Sequence, residues 1–214
     1  MFVTALFTIT GVLQAQDIPL NKNQQAMFHT RQLKNGVLLI RLPSQRNKLD
    51  KLRELAGREG ENQVYWQQQY DKAREETLAY QKLICQAFAQ EYRFSKVMYI
   101  YDYQVPSLQD GQPLPLLDAA DAVESTSFDP KGTVWYLFSD QLDSKETAYF
   151  RIFDKNFQLT SAPFPGKWRK NDIWNVAVSM FDARHPTQKS LKKMAKKLNR
   201  KLYRIEPDLS QYGY

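Results

Sequence analysis

Two short apolar runs, Val37–Leu42 and Val97–Tyr101, bracket a long stretch, Asn47 to Phe94, that reads almost throughout as helix. Gly57-Arg58-Glu59-Gly60 interrupts it once. Beyond that break, Tyr70, Ala73, Thr77, Tyr80, Ile84, Cys85 and Phe88 recur at three- and four-residue spacings, which aligns them on one helical face. The first run, Val37-Leu38-Leu39-Ile40-Arg41-Leu42, is nearly continuous rather than alternating, the pattern of a strand covered on both sides. Strand, long helix, strand predicts a βαβ unit, its two strands parallel neighbours joined by a right-handed crossover.

The remaining segments are shorter. Lys34-Asn35-Gly36 stands between two apolar-bearing runs, 24–33 and 36–42, and Asn-Gly in that setting predicts a hairpin. Pro106, Pro113 and Pro115 break the chain after the second strand, and a short helix is expected near Leu116 to Val123. Thr133–Phe138 predicts a third strand and Ala148–Phe153 a fourth. The fourth turns at Asp154–Phe157 into a weaker Gln158–Ser161, with Pro163-Phe164-Pro165-Gly166 closing the hairpin. Asp172–Phe181 suits a short helix or a strand. Thr187 is placed to cap a final helix reaching about Tyr203. This order fits an α/β three-layer sandwich around a mixed sheet, with the hairpin as its antiparallel edge. At 214 residues the chain suits a single domain over 17–214.

The first fifteen residues carry no charge and run apolar from Phe2 to Leu13. That length matches the core of a signal peptide and falls short of the ~20 residues of a membrane span. Ala15, followed by Gln16-Asp17, offers a small residue at a cleavage point, so 1–16 is expected to be a signal peptide and the protein periplasmic or secreted. A buried N-terminal strand is the alternative. No other stretch is long and apolar enough to span a membrane, so no transmembrane segment is expected in the mature chain.

The succession Val37–Leu42, helix, Val97–Tyr101, then Tyr149-Phe-Arg-Ile-Phe-Asp-Lys-Asn-Phe-Gln158 and a closing helix resembles a thioredoxin-like layout with one extra strand. The chain is also similar to secreted bacterial proteins with an Asn-Gly, strand, helix opening and an FDKxF…PFP hairpin. In the thioredoxin-like layout a catalytic cysteine stands where the central strand meets the long helix. Here that stretch is Pro43-Ser44-Gln45-Arg46-Asn47-Lys48, and Thr147 and Ala148 stand where the layout puts a proline. The resemblance therefore implies a fold without thiol redox chemistry.

The only cysteine, Cys85, falls in the apolar stripe of the long helix, where a small core residue is expected rather than a reactive thiol. One cysteine excludes internal disulfides and multi-cysteine zinc sites. His29 and His185 show no metal-ligand spacing, and neither a G-x-S-x-G elbow nor a glycine-rich phosphate loop is present, so no metal or other cofactor is expected. Asp118 and Asp121 share a helical spacing, as many solvated pairs do, while Asp140 and Asp143 flank a loop. Asp102 and Asp140 follow predicted strands directly. They are the catalytic candidates if the chain is a hydrolase-like enzyme, because open α/β sheets bind ligands at the carboxyl ends of their strands. Ser44, Arg46, Asn47 and Lys48 open the long helical stretch. They are candidates for helix capping or for holding an anion on free backbone N–H groups.

Charge is unevenly distributed. Arg184 to Arg204 holds nine basic residues and no acid, and removing those nine from the chain's 30 leaves 21 basic against 23 acidic. Leu191, Met194, Ala195, Leu198 and Leu202 repeat at helical spacing within it, so Lys192, Lys193, Lys196 and Lys197 fall on the polar remainder. That face is either simply solvated or a footprint for a polyanion or an anionic membrane surface. Nucleic-acid binding is not expected, as no recognised reading motif accompanies the charge. The leading expectation is an exported, non-catalytic α/β domain that binds a protein or small-molecule partner outside the cytoplasm. A hydrolase-like enzyme and a surface-associated protein are the rivals.

Overall fold

In a computed structural model, residues 20–60, 62–117, 124–139, 149–160, 162–165, 167–169 and 188–206 are described. The expected signal peptide, Asp118, Asp121, Asp140, Asp143, Asp172–Phe181, His185 and Thr187 lie outside them. The βαβ core is as the sequence predicts. β1 (Val37–Leu42) leads through α2 (Arg46–Ala56) and the long α3 (Gln63–Glu91) to β2 (Lys96–Tyr101), which pairs with β1 in parallel.

β1 is the centre of a mixed open sheet. On its other side it pairs, also in parallel, with β5 (Trp135–Ser139). β3 (Leu114–Leu117) and β4 (Glu124–Phe128) extend the sheet antiparallel beyond β2; β6 (Tyr149–Phe153) and β7 (Lys167–Arg169) extend it antiparallel beyond β5. The strand order is β4-β3-β2-β1-β5-β6-β7.

Because side chains alternate along a strand, β1 feeds two cores. Leu38, Ile40 and Leu42 join Tyr80, Ile84, Cys85 and Phe88 of α3, Leu33 of α1 (Lys22–Asn35) and Leu191 and Leu198 of α5 (Gln188–Ile205). Val37 and Leu39 face the opposite way, with Ile100, Leu116, Trp135, Leu137 and the short α4 (Val105–Gln109) through Val105 and Leu108. A side chain that repeats every second residue and is buried on both faces leaves little room for polar substitution, which accounts for the continuous apolar run.

Three expectations are corrected. Asn35-Gly36 does not turn a hairpin: residues 22–35 form α1, opened by a reciprocal Asn21/Gln24 capping box and burying Ala26, Thr30 and Leu33 on one face. Gly36 follows the helix because space is short there. A Cβ on it would lie 2.5 Å from the Val134 carbonyl oxygen and 2.8 Å from that of Gln32. The helix expected from Leu116 to Val123 does not include its first two residues, which belong to the strand β3; 118–123 lie outside the described residues, and a short helix, α4, comes earlier. The turn at Asp154–Phe157 does fold 158–160 back antiparallel on the end of β6, with Asp154 donating to Gln158 and Thr160 to Ile152, but only as the isolated bridge Phe153 to Leu159; β7 pairs with the rest of β6.

The carboxyl ends of α1, α3 and α5 meet near the amino ends of β1 and β2. There Lys34 pairs with Glu206 and lies 5.6 Å from the ring centres of Phe94 and Tyr203, while Arg93 donates its backbone N–H to Asn199. Cations at helix C-termini are favoured by the helix dipole.

Gly36→Ala should destabilise the protein by about 1–3 kcal/mol, because the two crowded neighbours are backbone atoms that shift only with the α1–β1 junction. Urea denaturation measures it; an unchanged midpoint would mean the junction has slack.

Candidate functional site

The chain leaves β1 and β2 in opposite directions. After β1 it passes to α3 on one face of the sheet, and after β2 to α4 on the other. Adjacent parallel strands whose connections diverge in this way open a crevice at their carboxyl ends. A cleft of about 450 Å³ lies there, lined by Arg41, Ser44, Gln45, Arg46, Asn47, Lys48, Asp102 and Tyr103. Its size is in the range of small-molecule sites, roughly 300–1,000 Å³.

Asp102, the first residue after β2, clasps the loop that follows β1. Its Oδ1 accepts from the Ser44 hydroxyl at 2.5 Å and from the Tyr103 backbone N–H at 2.9 Å, and its Oδ2 accepts from the Ser44 backbone N–H at 3.1 Å. The Arg41 guanidinium stands 4.0 Å from Oδ2. Gln81 of α3, itself buried, donates to the Pro43 carbonyl at 2.8 Å and holds the same loop from behind. Both oxygens accept hydrogen bonds from the loop and its flank, so Asp102 ties the end of β2 to the segment that leads into α2.

That clasp sets the start of α2. Gln45, the residue before the helix, is held in the left-handed region at φ 50°, ψ 29°, and its side chain makes no capping bond. Such a conformation costs a residue other than glycine roughly 1 kcal/mol or more. The Ser44 hydroxyl accepts from the Arg46 N–H at 3.2 Å. The N–H groups of Asn47 and Lys48 have no acceptor among the described residues, so capping accounts for only part of this segment. Arg46 lies across the Tyr103 ring, 5.3 Å from its centre, with its Nε 3.7 Å from Asp50; Tyr103 in turn stacks on Tyr101. Three cationic side chains therefore line the cleft against one carboxylate.

The structure thus brings together five of the residues expected from the sequence, Ser44, Arg46, Asn47, Lys48 and Asp102, and adds Arg41, Gln45 and Tyr103. The signal for Arg41 was present, a lone cation at the carboxyl end of an otherwise apolar strand. Gln45 carried none, because a left-handed glutamine is indistinguishable in sequence from any other loop residue. Lys192, Lys193, Lys196 and Lys197 belong to α5 and do not line the cleft.

His29 is elsewhere. Its Nδ1 lies 2.8 Å from the hydroxyl of Tyr136, a residue that registers with Leu38 near the amino end of β1. Tyr136 donates to Gln32, so it accepts from His29. Burial lowers the His29 pKa below its usual value, with Asp154 opposing in part. Among the described residues no group of three His, Cys, Asp or Glu side chains is arranged to hold a metal ion. No helix among them is long and apolar enough to cross a membrane. No family model, curated protein or solved structure matches the chain.

Cys85 is buried on α3, and burial pushes its thiol up to about 12. Alkylation of the folded protein at neutral pH should be slow and become fast only in denaturant. Rapid stoichiometric labelling of the native chain would contradict this placement.

Proposed function

We propose that this chain is an exported, non-catalytic α/β domain that binds a small anionic ligand in the cleft between the carboxyl ends of β1 and β2. The observation that carries the reading is the pairing of charge with open donors. Arg41, Arg46 and Lys48 surround a helix start whose Asn47 and Lys48 N–H groups lack acceptors among the described residues. A carboxylate or phosphate group suits such a site, since free N–H groups and the positive end of α2 favour negative charge. Tyr103, with Arg46 across its ring and Tyr101 stacked on it, lines the same cleft and holds the Arg46 guanidinium there.

Export rests on the uncharged apolar run from Phe2 to Leu13 and puts the binding in the periplasm or outside the cell. The three-layer form of the fold is supported by α4, which packs on the sheet face opposite α1, α3 and α5. The thioredoxin-like resemblance is supported by the order β1, helix, β2, β5, β6, α5, while the parallel pairing of β1 with β5 is this chain's own. The hydrolase-like alternative has weaker support, because the hydrogen bonds shown for Asp102 go to Ser44 and Tyr103 of its own chain.

Calorimetric titration with inorganic phosphate and with a small dicarboxylate tests the proposal. The wild type should bind at least one of them, and replacing Arg46 and Lys48 together by Gln should weaken it about tenfold or more. Equal affinity in the double variant, or no binding of either anion by the wild type, would overturn the proposal.

A further inference from the structure

We infer that the outward face of α5 is a docking surface for an anionic lipid bilayer. Leu191, Met194, Ala195, Leu198 and Leu202 are all buried against α3, α1 and the sheet, which fixes the rotation of the helix. At about 100° per residue, Lys189, Lys192, Lys193, Lys196, Lys197, Arg200 and Arg204 then spread over about 140° on the opposite side. Lys201 lies at the margin. Every one of these eight is exposed or half-exposed, and none makes an ion pair with a described residue. No acid occurs from Gln188 to Ile205, and the nearest, Glu206, is taken by Lys34.

On α2 cations and acids are interleaved, with Arg46, Lys51 and Arg53 beside Asp50 or Glu54, and Arg58 just past the helix reaches Glu54. On α3, Lys72, Arg74 and Lys82 share the helix with Asp71, Glu75 and Glu76. α5 carries cations with no acid among them.

The form of the face selects its partner. Its apolar stripe is already spent inside the core, so α5 has none left to insert between lipid tails, and contact must be electrostatic and superficial. The face is a convex ridge along a helix about 27 Å long, with no groove to enclose a small ligand. Six of the eight cations are lysines, point charges suited to a diffuse anionic surface, whereas two-pronged recognition of individual phosphates favours arginine. Clusters of four to eight Lys or Arg on one helix face contribute about 1 kcal/mol per residue at an anionic membrane surface.

The test is co-sedimentation of the full chain with vesicles of phosphatidylcholine alone, and with about 30% phosphatidylglycerol, between about 0.05 and 0.5 M salt. Heparin and a DNA duplex are titrated in parallel. The wild type should bind the anionic vesicles, ignore the neutral ones and be released by salt. Replacing Lys192, Lys193, Lys196 and Lys197 by Gln should weaken binding about a hundredfold or more without altering the circular dichroism spectrum. A second variant with Lys51, Arg58, Lys72 and Arg74 replaced by Gln loses the same charge elsewhere and should still bind. Binding to neutral vesicles, equal loss in both variants, no binding by the wild type, or tighter binding to heparin or duplex than to vesicles would each overturn the inference.

Discussion

The whole arrangement depends on β1 being buried from both sides and paired in parallel on both edges. A strand in that position needs its neighbours delivered by crossovers rather than tight turns, and the crossovers must cover both faces. The connection to β2 covers one face with α3, and the chain beyond β2 turns to the other with α4. The divergence that buries β1 is the same divergence that opens the cleft at its carboxyl end. Core and candidate site are two consequences of one topological choice.

What keeps the cleft from collapsing is polar. Asp102 ties the end of β2 to Ser44, Gln81 ties α3 to Pro43, and Gln45 is held left-handed between them. These bonds fix where α2 begins and so where its uncapped N–H groups point. Hydrogen bonds to a charged acceptor contribute about 1.5–3 kcal/mol each, enough to offset the cost of the left-handed residue. The amino end of the central strands is organised differently. Three helix C-termini converge there, and Lys34 answers their partial charge together with Glu206, Phe94 and Tyr203.

The sequence made legible whatever depended on periodicity. The strand from Val37, the break at Gly57–Gly60, the buried stripe of α3 and the apolar stripe of α5 follow from spacing alone. Asn35-Gly36 misled because the same dipeptide serves a hairpin and a helix end; the capping box at Asn21 and Gln24, three residues apart, was the local signal for the helix. β3 was hidden by Pro115, which an exposed strand position accommodates, and β4 by its run of Ser and Thr. Five of the eight cleft residues were readable because they follow strand ends, where ligands gather in such sheets. Arg41 was signalled as a lone cation at the end of an apolar strand, while Gln45 and Tyr103 joined through backbone conformation and side-chain direction, which composition does not carry.

Nuclear magnetic resonance of uniformly ¹⁵N-labelled protein titrated with inorganic phosphate tests the cleft most directly, because it reports every amide at once. The account predicts the largest shifts at the backbone amides of Asn47 and Lys48, accompanied by the Arg41 and Arg46 side chains. Shifts centred on α5, or distributed over the surface with Asn47 and Lys48 unmoved, would contradict it.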